Sequence, residues 1–345
     1  MKLKTLLRLT IVLLMFFILL LGFYIGNIYI EVALTKILHK EKRAEIVVNR
    51  GVKVRDFAKI LEKNGYVSSA TFFTVAYVSQ YPSKSMQAGL YEISDQDTIV
   101  DLVEKIAKGK SKLESITFIE GSNWQQIKRQ IRSNKQFINH KDSDLLKMFK
   151  SKGLLKIYGE KILSLEGLLM PDTYKFKRGI NDHTILEESI IKQVKYIEGE
   201  WSNRDLSTQY NNPYEALIVA SLIEKESRYT PEYSKIAAVI LNRIQKKIPI
   251  QIDAAVIYGL EKHKKRLYYS DLKKKGPYNT YLNKGLPPTP IAMPSKEAIH
   301  AALHPYKFDA IFYVLDSVKN NQHTFSNNFR EHLQAKNKRS TTNKN

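Results

Sequence analysis

Two acids stand near the end of one helical stretch, residues 213–230 (PYEALIVASLIEKESRYT). Val219, Leu222 and Ile223 recur at helical spacing and form one apolar stripe. One more step along that stripe is Glu226. Glu224 lies two residues away, about 200° round a helix with 3.6 residues per turn, behind Ala220 and Ser221. A carboxyl group at the end of an apolar stripe is partly desolvated. Desolvation raises its pKa and keeps it protonated near neutral pH, as a general acid requires. The alternative is a solvated residue where the helix leaves the core.

Glycoside hydrolysis normally uses two carboxyl groups flanking the scissile bond. Glu224 points away from Glu226. Glu166, Asp172 and Asp253 are possible second acids, but spacing places none of them. Glu166 and Asp172 serve equally well as capping and turn residues. A single carboxyl group suffices for another reaction. It protonates the glycosidic oxygen and then takes a proton from a hydroxyl of the same sugar, so neither water nor a second acid is needed.

The segment 248–253 (IPIQID) alternates strictly. It reads as a strand with its isoleucines on one face and Gln251 and Asp253 on the other, although Pro249 suits an edge. The loop 277–294 is rich in tyrosine and proline and includes Asn279 and Tyr281. Aromatic faces with amides and carboxylates are the chemistry that binds sugar rings. Gln251, Asp253, Asn279, Tyr281 and His323 are the candidate substrate contacts. Other chemistries lack support. There is no phosphate-loop motif, no HExxH, no GxSxG and no cysteine. His300 and His304 are four apart, but no third ligand is evident and Pro305 follows. They read as core or capping histidines. No metal or cofactor is expected.

These residues need a scaffold. The chain has 345 residues, 43% of them hydrophobic, enough for two or three domains. Residues 9–30 carry no charge, and Lys2, Lys4 and Arg8 precede them. This length crosses a bilayer core of about 30 Å. The positive residues hold 1–8 in the cytoplasm and send the remainder outward as an uncleaved signal anchor. The net charge of +21 would ordinarily suggest nucleic acid. Behind an export anchor, nucleic acid is not an expected partner; anionic lipid or a carboxylate-bearing wall polymer is.

Residues 31–44 read as a charged connector. Residues 45–110 follow the order strand, helix, helix, strand, then a further helix closed by Gly109. The remainder to residue 335 mixes helices with short strands, so the fold class is α+β. Ser115 to Glu120 and Ala310 to Leu315 read as strands, the second one buried. Asn123 can cap a helix over 124–133. Residues 336–345 are polar and read as a disordered tail.

Together, LEGLLMPDTY (165–174), ASLIEKES (220–227), NRIQKKIPIQIDAAVIYGL (242–260), YNTY (278–281), GLPPTPIAMPS (285–295), ALHP (302–305) and HTFSNN (323–328) resemble the endolytic murein transglycosylase family, the MltG or YceG-like type. The likeness covers about residues 45–333. It implies a single-pass inner-membrane enzyme with its catalytic domain outside the cytoplasm. It implies cleavage of the β-1,4 bond between N-acetylmuramic acid and N-acetylglucosamine in nascent peptidoglycan strands, leaving 1,6-anhydro-muramyl ends. Peptidoglycan synthases are implied as neighbours, and residues 45–110 as a LysM-like subdomain. The family's catalytic acid is the second glutamate of EKE, which is Glu226. Where the family often has Thr-Asp-Pro, this chain has Ile252, Asp253 and Ala254. Leu168, Leu169 and Met170 replace bulkier aromatic residues. A membrane-tethered glycan-binding scaffold and a two-carboxylate hydrolase are the competing readings.

Overall fold

A computed structural model describes residues 11–26, 43–94, 96–137, 142–159, 161–260, 267–316 and 322–342. It is a mixed α+β structure whose named strands pair into three two-stranded sheets. Residues 11–26 form a helix, α1, with exposed apolar side chains. The expected span 9–30 runs past the described residues at both ends, as does most of the connector 31–44. Among the described residues no helix is long and apolar enough to cross a membrane.

The chain divides into two compact units. The first comprises residues 1–114 with 175–180; the second comprises 115–174 with 181–345. In the first, β1 (Arg43–Val48) pairs antiparallel with β2 (Gly89–Ser94), with Ile46 opposite Tyr91. Helices α2 (Val54–Lys63) and α3 (Ala70–Gln80) lie between these strands in sequence, and α4 (Ile99–Lys108) follows. The Ser69 hydroxyl accepts from Thr71 N–H and caps α3. Thr98 and Asp101 form a reciprocal capping box on α4, and Gly109 ends it in the left-handed region at φ 64°. Phe57, Leu61, Phe73, Tyr77, Tyr91, Leu102 and Ile106 form the core.

Strands β3 (Leu113–Phe118) and β4 (Asp172–Lys177) pair where the chain changes unit. The second unit then contains α5 (Trp124–Ser133), α6 (Asp142–Ser151), α7 (Asp182–Ser202), α8 (Pro213–Glu226) and α9 (Tyr233–Gln245). After these come α10 (Asp253–Gly259), α11 (Tyr269–Leu272), α12 (Lys296–Leu303), the hairpin β5 (Phe312–Asp316) with β6 (Gln322–Ser326), and α13 (Phe329–Thr342).

Helix α8 is the centre of this unit. Asn212 caps it through Glu215 N–H at 3.2 Å, and Pro213 occupies its first turn. From Pro213 to Ile223 every residue except Glu215 is buried. A helix buried on all sides belongs in the interior, and α7, α9, α10 and α12 pack around it. The single apolar stripe expected from sequence is therefore only part of the pattern, since Ala220 and Ser221 are as buried as Leu222. The helix also stops at Glu226, short of the expected residue 230. Ser227 turns extended, at φ −136° and ψ 152°, and its hydroxyl accepts from Tyr229 N–H at 3.0 Å.

Three further expectations are corrected. Residues 248–252 are not a strand. Their alternation does match burial, with Ile250 and Ile252 inside and Gln251 exposed. The backbone, however, is organised around buried Arg243, which donates to Pro249 O at 2.8 Å and to the Gln251 side chain. Gln251 is left-handed at φ 61°, and its N–H donates to Thr280 O at 3.0 Å. Strand β5 is half-buried rather than buried, because a two-stranded hairpin keeps one side partly open. Residues 336–342 continue α13 instead of forming a disordered tail, and 343–345 lie outside the described residues.

Candidate active site

The C-terminal end of α8 opens on a cleft of about 810 Å³. Glu226 and Lys225 form one wall. The start of α5 supplies Gln125, Gln126 and Arg129, and α10 supplies Asp253, Ile257 and Tyr258. Gly121, Tyr278 and Ile291 also line it. The turn before α5 is held in place by its backbone. Gly121 N–H donates to Met293 O and Met293 N–H donates to Ser122 O, both at 2.8 Å. Lys225 Nζ donates to Gly121 O at 3.1 Å, tying that turn to the end of α8. Asn123 and Gln126 cap α5 reciprocally, as the sequence suggested for Asn123.

Glu226 is half-buried at the mouth of this cleft. Burial pushes its pKa up from 4.5 to about 7; the Asp253 charge adds to the rise, and a hydrogen bond from Tyr313 opposes it. The Tyr313 hydroxyl donates to Glu226 Oε2 at 2.7 Å. Burial holds Tyr313 itself well above its ordinary value, so it stays a donor. Its ring sits on β5, edge-on to His323 on the paired strand, with centroids 5.3 Å apart. Tyr313 has no local sequence signal. It becomes visible only once the hairpin is placed against the end of α8.

Glu224, also pushed up by burial, faces other residues. Its Oε2 accepts from Ser295 N–H at 2.9 Å and from the Ser295 hydroxyl, at the start of α12. The two acids of the motif thus differ in what they meet rather than in how buried their helix faces are.

Of the other candidates, Asp253 shares the cleft and accepts from the Tyr281 hydroxyl. Tyr281 therefore reaches the site through Asp253. The Gln251 side chain is engaged by Arg243. Asn279 is buried, and its amide is spent within its own loop on Leu272 O, Lys274 O and Tyr281 N–H. His323 is buried against Glu232, with Nδ1 2.8 Å from its Oε2. The cleft therefore contains Glu226 and Asp253, and excludes the side chains of Asn279 and His323 from its lining.

Glu166 is buried, and burial lifts its pKa to about 7 against several hydrogen bonds. Trp124 N–H donates to both its oxygens, at 3.0 and 3.1 Å, and the Tyr258 hydroxyl donates at 2.9 Å. Tyr258 thus stands between Glu166 and the cleft. Asp172 is exposed and pairs with Lys192 at 3.1 Å.

The chain is similar to known proteins over most of its length. Residues 46–338 match the model of the YceG-like family. An endolytic murein transglycosylase of Bacillus subtilis is 32% identical over 317 residues, covering 87% of this chain and 86% of that protein. One from Streptococcus pneumoniae is 25% identical, covering 91% of this chain and 63% of its own, longer length. A crystal structure of a protein described as yceG-like, from Listeria monocytogenes, superposes with a TM-score of 0.55 at 29% identity, over 85% of this chain and 99% of that one. The chain belongs to the YceG-like family.

Proposed function

We propose that this chain is an endolytic peptidoglycan lytic transglycosylase whose single catalytic acid is Glu226. One observation carries the assignment. Glu226 is the carboxyl group that is raised to about 7 by burial and also faces an open cleft. Protonated, it gives its proton to the oxygen between N-acetylmuramic acid and N-acetylglucosamine. As carboxylate, it then removes the proton from the muramyl 6-hydroxyl, and that oxygen closes on the anomeric carbon to form the 1,6-anhydro end. Tyr313 holds the carboxyl group in place and donates more strongly as negative charge develops on it. Asp253 puts negative charge in the cleft, where the sugar turns cationic. Tyr281 orients Asp253, and Gln251 lies beside it on a loop held by Arg243.

A two-carboxylate hydrolase is the second reading, favoured by the fact that Asp253 shares the cleft with Glu226. The products separate the readings. Purified glycan strands are incubated with the full-length protein and analysed by mass spectrometry. Anhydro ends are expected. Reducing ends would replace the proposal with the hydrolase, and uncleaved strands would replace it with a glycan-binding scaffold.

The uncharged run at 9–30 supports a single-pass anchor in the cytoplasmic membrane, with the N-terminus inside and the catalytic part outside. The order β1, α2, α3, β2 supports a LysM-like role for residues 45–110. Cutting nascent strands would place the enzyme beside peptidoglycan synthases and end strand elongation.

A further inference from the structure

Away from the cleft, α7 and α12 bring together three side chains of metal-ligand type. Glu200 lies near the end of α7, His300 on α12, and His304 is the residue that caps α12. His300 Nδ1 is 2.7 Å from Glu200 Oε2, and His304 Nε2 is 3.3 Å from the same oxygen. One ligand atom from each of the three lies within 4.8 Å of the others. The imidazoles stack at 4.4 Å with 28° between their planes.

We propose that Glu200, His300 and His304 bind one divalent transition-metal ion of the zinc class and clamp α7 to α12. Zinc bonds to imidazole nitrogen and carboxylate oxygen are each about 2.0–2.2 Å, so ligand atoms at the corners of a tetrahedron lie about 3.4 Å apart. The two carboxylate–imidazole distances, 2.7 and 3.3 Å, fall at or below that value and the three atoms stay within 4.8 Å of one another, so small side-chain rotations would open room for the ion. Two imidazole nitrogens from one helix converge on one carboxylate oxygen from another, an arrangement that a single ion can join. A metal ion takes both as neutral ligands. Nitrogen ligands favour zinc, nickel and copper over magnesium or calcium, which prefer a shell of oxygens. His300 is exposed, which leaves an entry path and a coordination position for water. The clamp would act on the scaffold of the helix that carries Glu226, because α12 packs on α8 and Glu224 binds its capping residue, Ser295. It plays no part in the chemistry at Glu226.

The test uses the full-length protein in detergent, without a polyhistidine tag and stripped by a chelator. Zinc is titrated while bound metal and thermal unfolding are followed, and cobalt serves as the spectroscopic probe. One zinc per chain is expected, with a saturable rise in Tm that magnesium and calcium do not reproduce. The visible band of a low-symmetry cobalt complex is also expected. His300→Ala and Glu200→Gln should each weaken binding by at least about tenfold, the range seen even for outer-shell partners of metal ligands. Glu226→Gln should bind zinc as the wild type does. Absence of saturable binding, or zinc binding in His300→Ala and His304→Ala as tight as in the wild type, overturns the proposal.

Discussion

The end of α8 and the start of α5 each hold a glutamate raised to about 7 by burial, yet they are built for opposite ends. Among the described residues Glu226 has one donor, Tyr313, and it faces an open cleft. Glu166 receives Trp124 N–H on both oxygens and the Tyr258 hydroxyl, and it is sealed from solvent. Burial alone therefore does not mark the proposed catalytic acid. What distinguishes the pair is whether a substrate oxygen can reach the carboxyl group. Glu166 holds the first turn of α5 in place, and α5 carries Gln125 and Arg129 into the cleft.

The contrast breaks most visibly if substitution at the two sites has the same effect. Glu226→Gln should cut formation of anhydro ends by about a hundred- to ten-thousandfold with the fold intact. Glu166→Gln keeps the shape and one acceptor oxygen, so its activity per folded molecule should stay close to wild type. Equal loss in both would remove the distinction drawn from access.

Asp253→Asn should lower kcat/KM by about ten- to hundredfold, because negative charge leaves the cationic sugar's surroundings. It should also move the basic limb of the pH profile. That limb falls as Glu226 loses its proton, near pH 7. Without the Asp253 charge Glu226 ionises more readily, so the limb shifts to lower pH. Tyr313→Phe should shift it the other way, because the bond it removes favours the ionised form. A stopped assay at several pH values reads both shifts, and matching directions would contradict the electrostatics of the cleft.

The smaller effects concern stability. A raised folded-state pKa means that the native protein binds the proton more tightly than the unfolded chain. The stability these two groups contribute is therefore full below about pH 4.5 and is lost as pH rises through about 7. Sealed Glu166 accounts for about 3 kcal/mol of that loss and Glu226, after allowance for its partial exposure, for about 2 kcal/mol. Glu226→Gln should flatten the decline in denaturant titrations between those pH values. Glu166→Ala should cost about 1–3 kcal/mol, since it strips the acceptor from a buried backbone N–H. The smallest expected change is in Glu224→Gln, which keeps an acceptor for Ser295 and should leave activity near wild type.

Helix positions followed from local chemistry. Ser69, Thr98, Asn123 and Ser295 are caps whose side chains accept from the first turn, and Gly109 ends α4 in the left-handed conformation only glycine adopts at little cost. Such signals act within a few residues, so they are readable in one dimension. The segment 248–252 misled because alternating burial does not require a strand. Its hydrogen bonds go to Arg243 and Thr280, partners that no local pattern reveals. Asn279 and His323 had the right chemistry for sugars but spend it inside the fold.

The sequence alone determined that an acid stands at the end of an apolar helix, that the chain resembles a glycan-cleaving family, and that Glu226 rather than Glu224 is the acid to test. These follow from helical periodicity and residue order. Tertiary structure decided that Glu226 opens on a cleft with Asp253, that Tyr313 supports it, and that Glu224 instead holds Ser295 at the start of α12. It also gave His300 and His304 their third partner, Glu200, a hundred residues away along the chain from His300. Pairing between distant segments depends on how buried helices pack, and packing is not written in the spacing of any one segment.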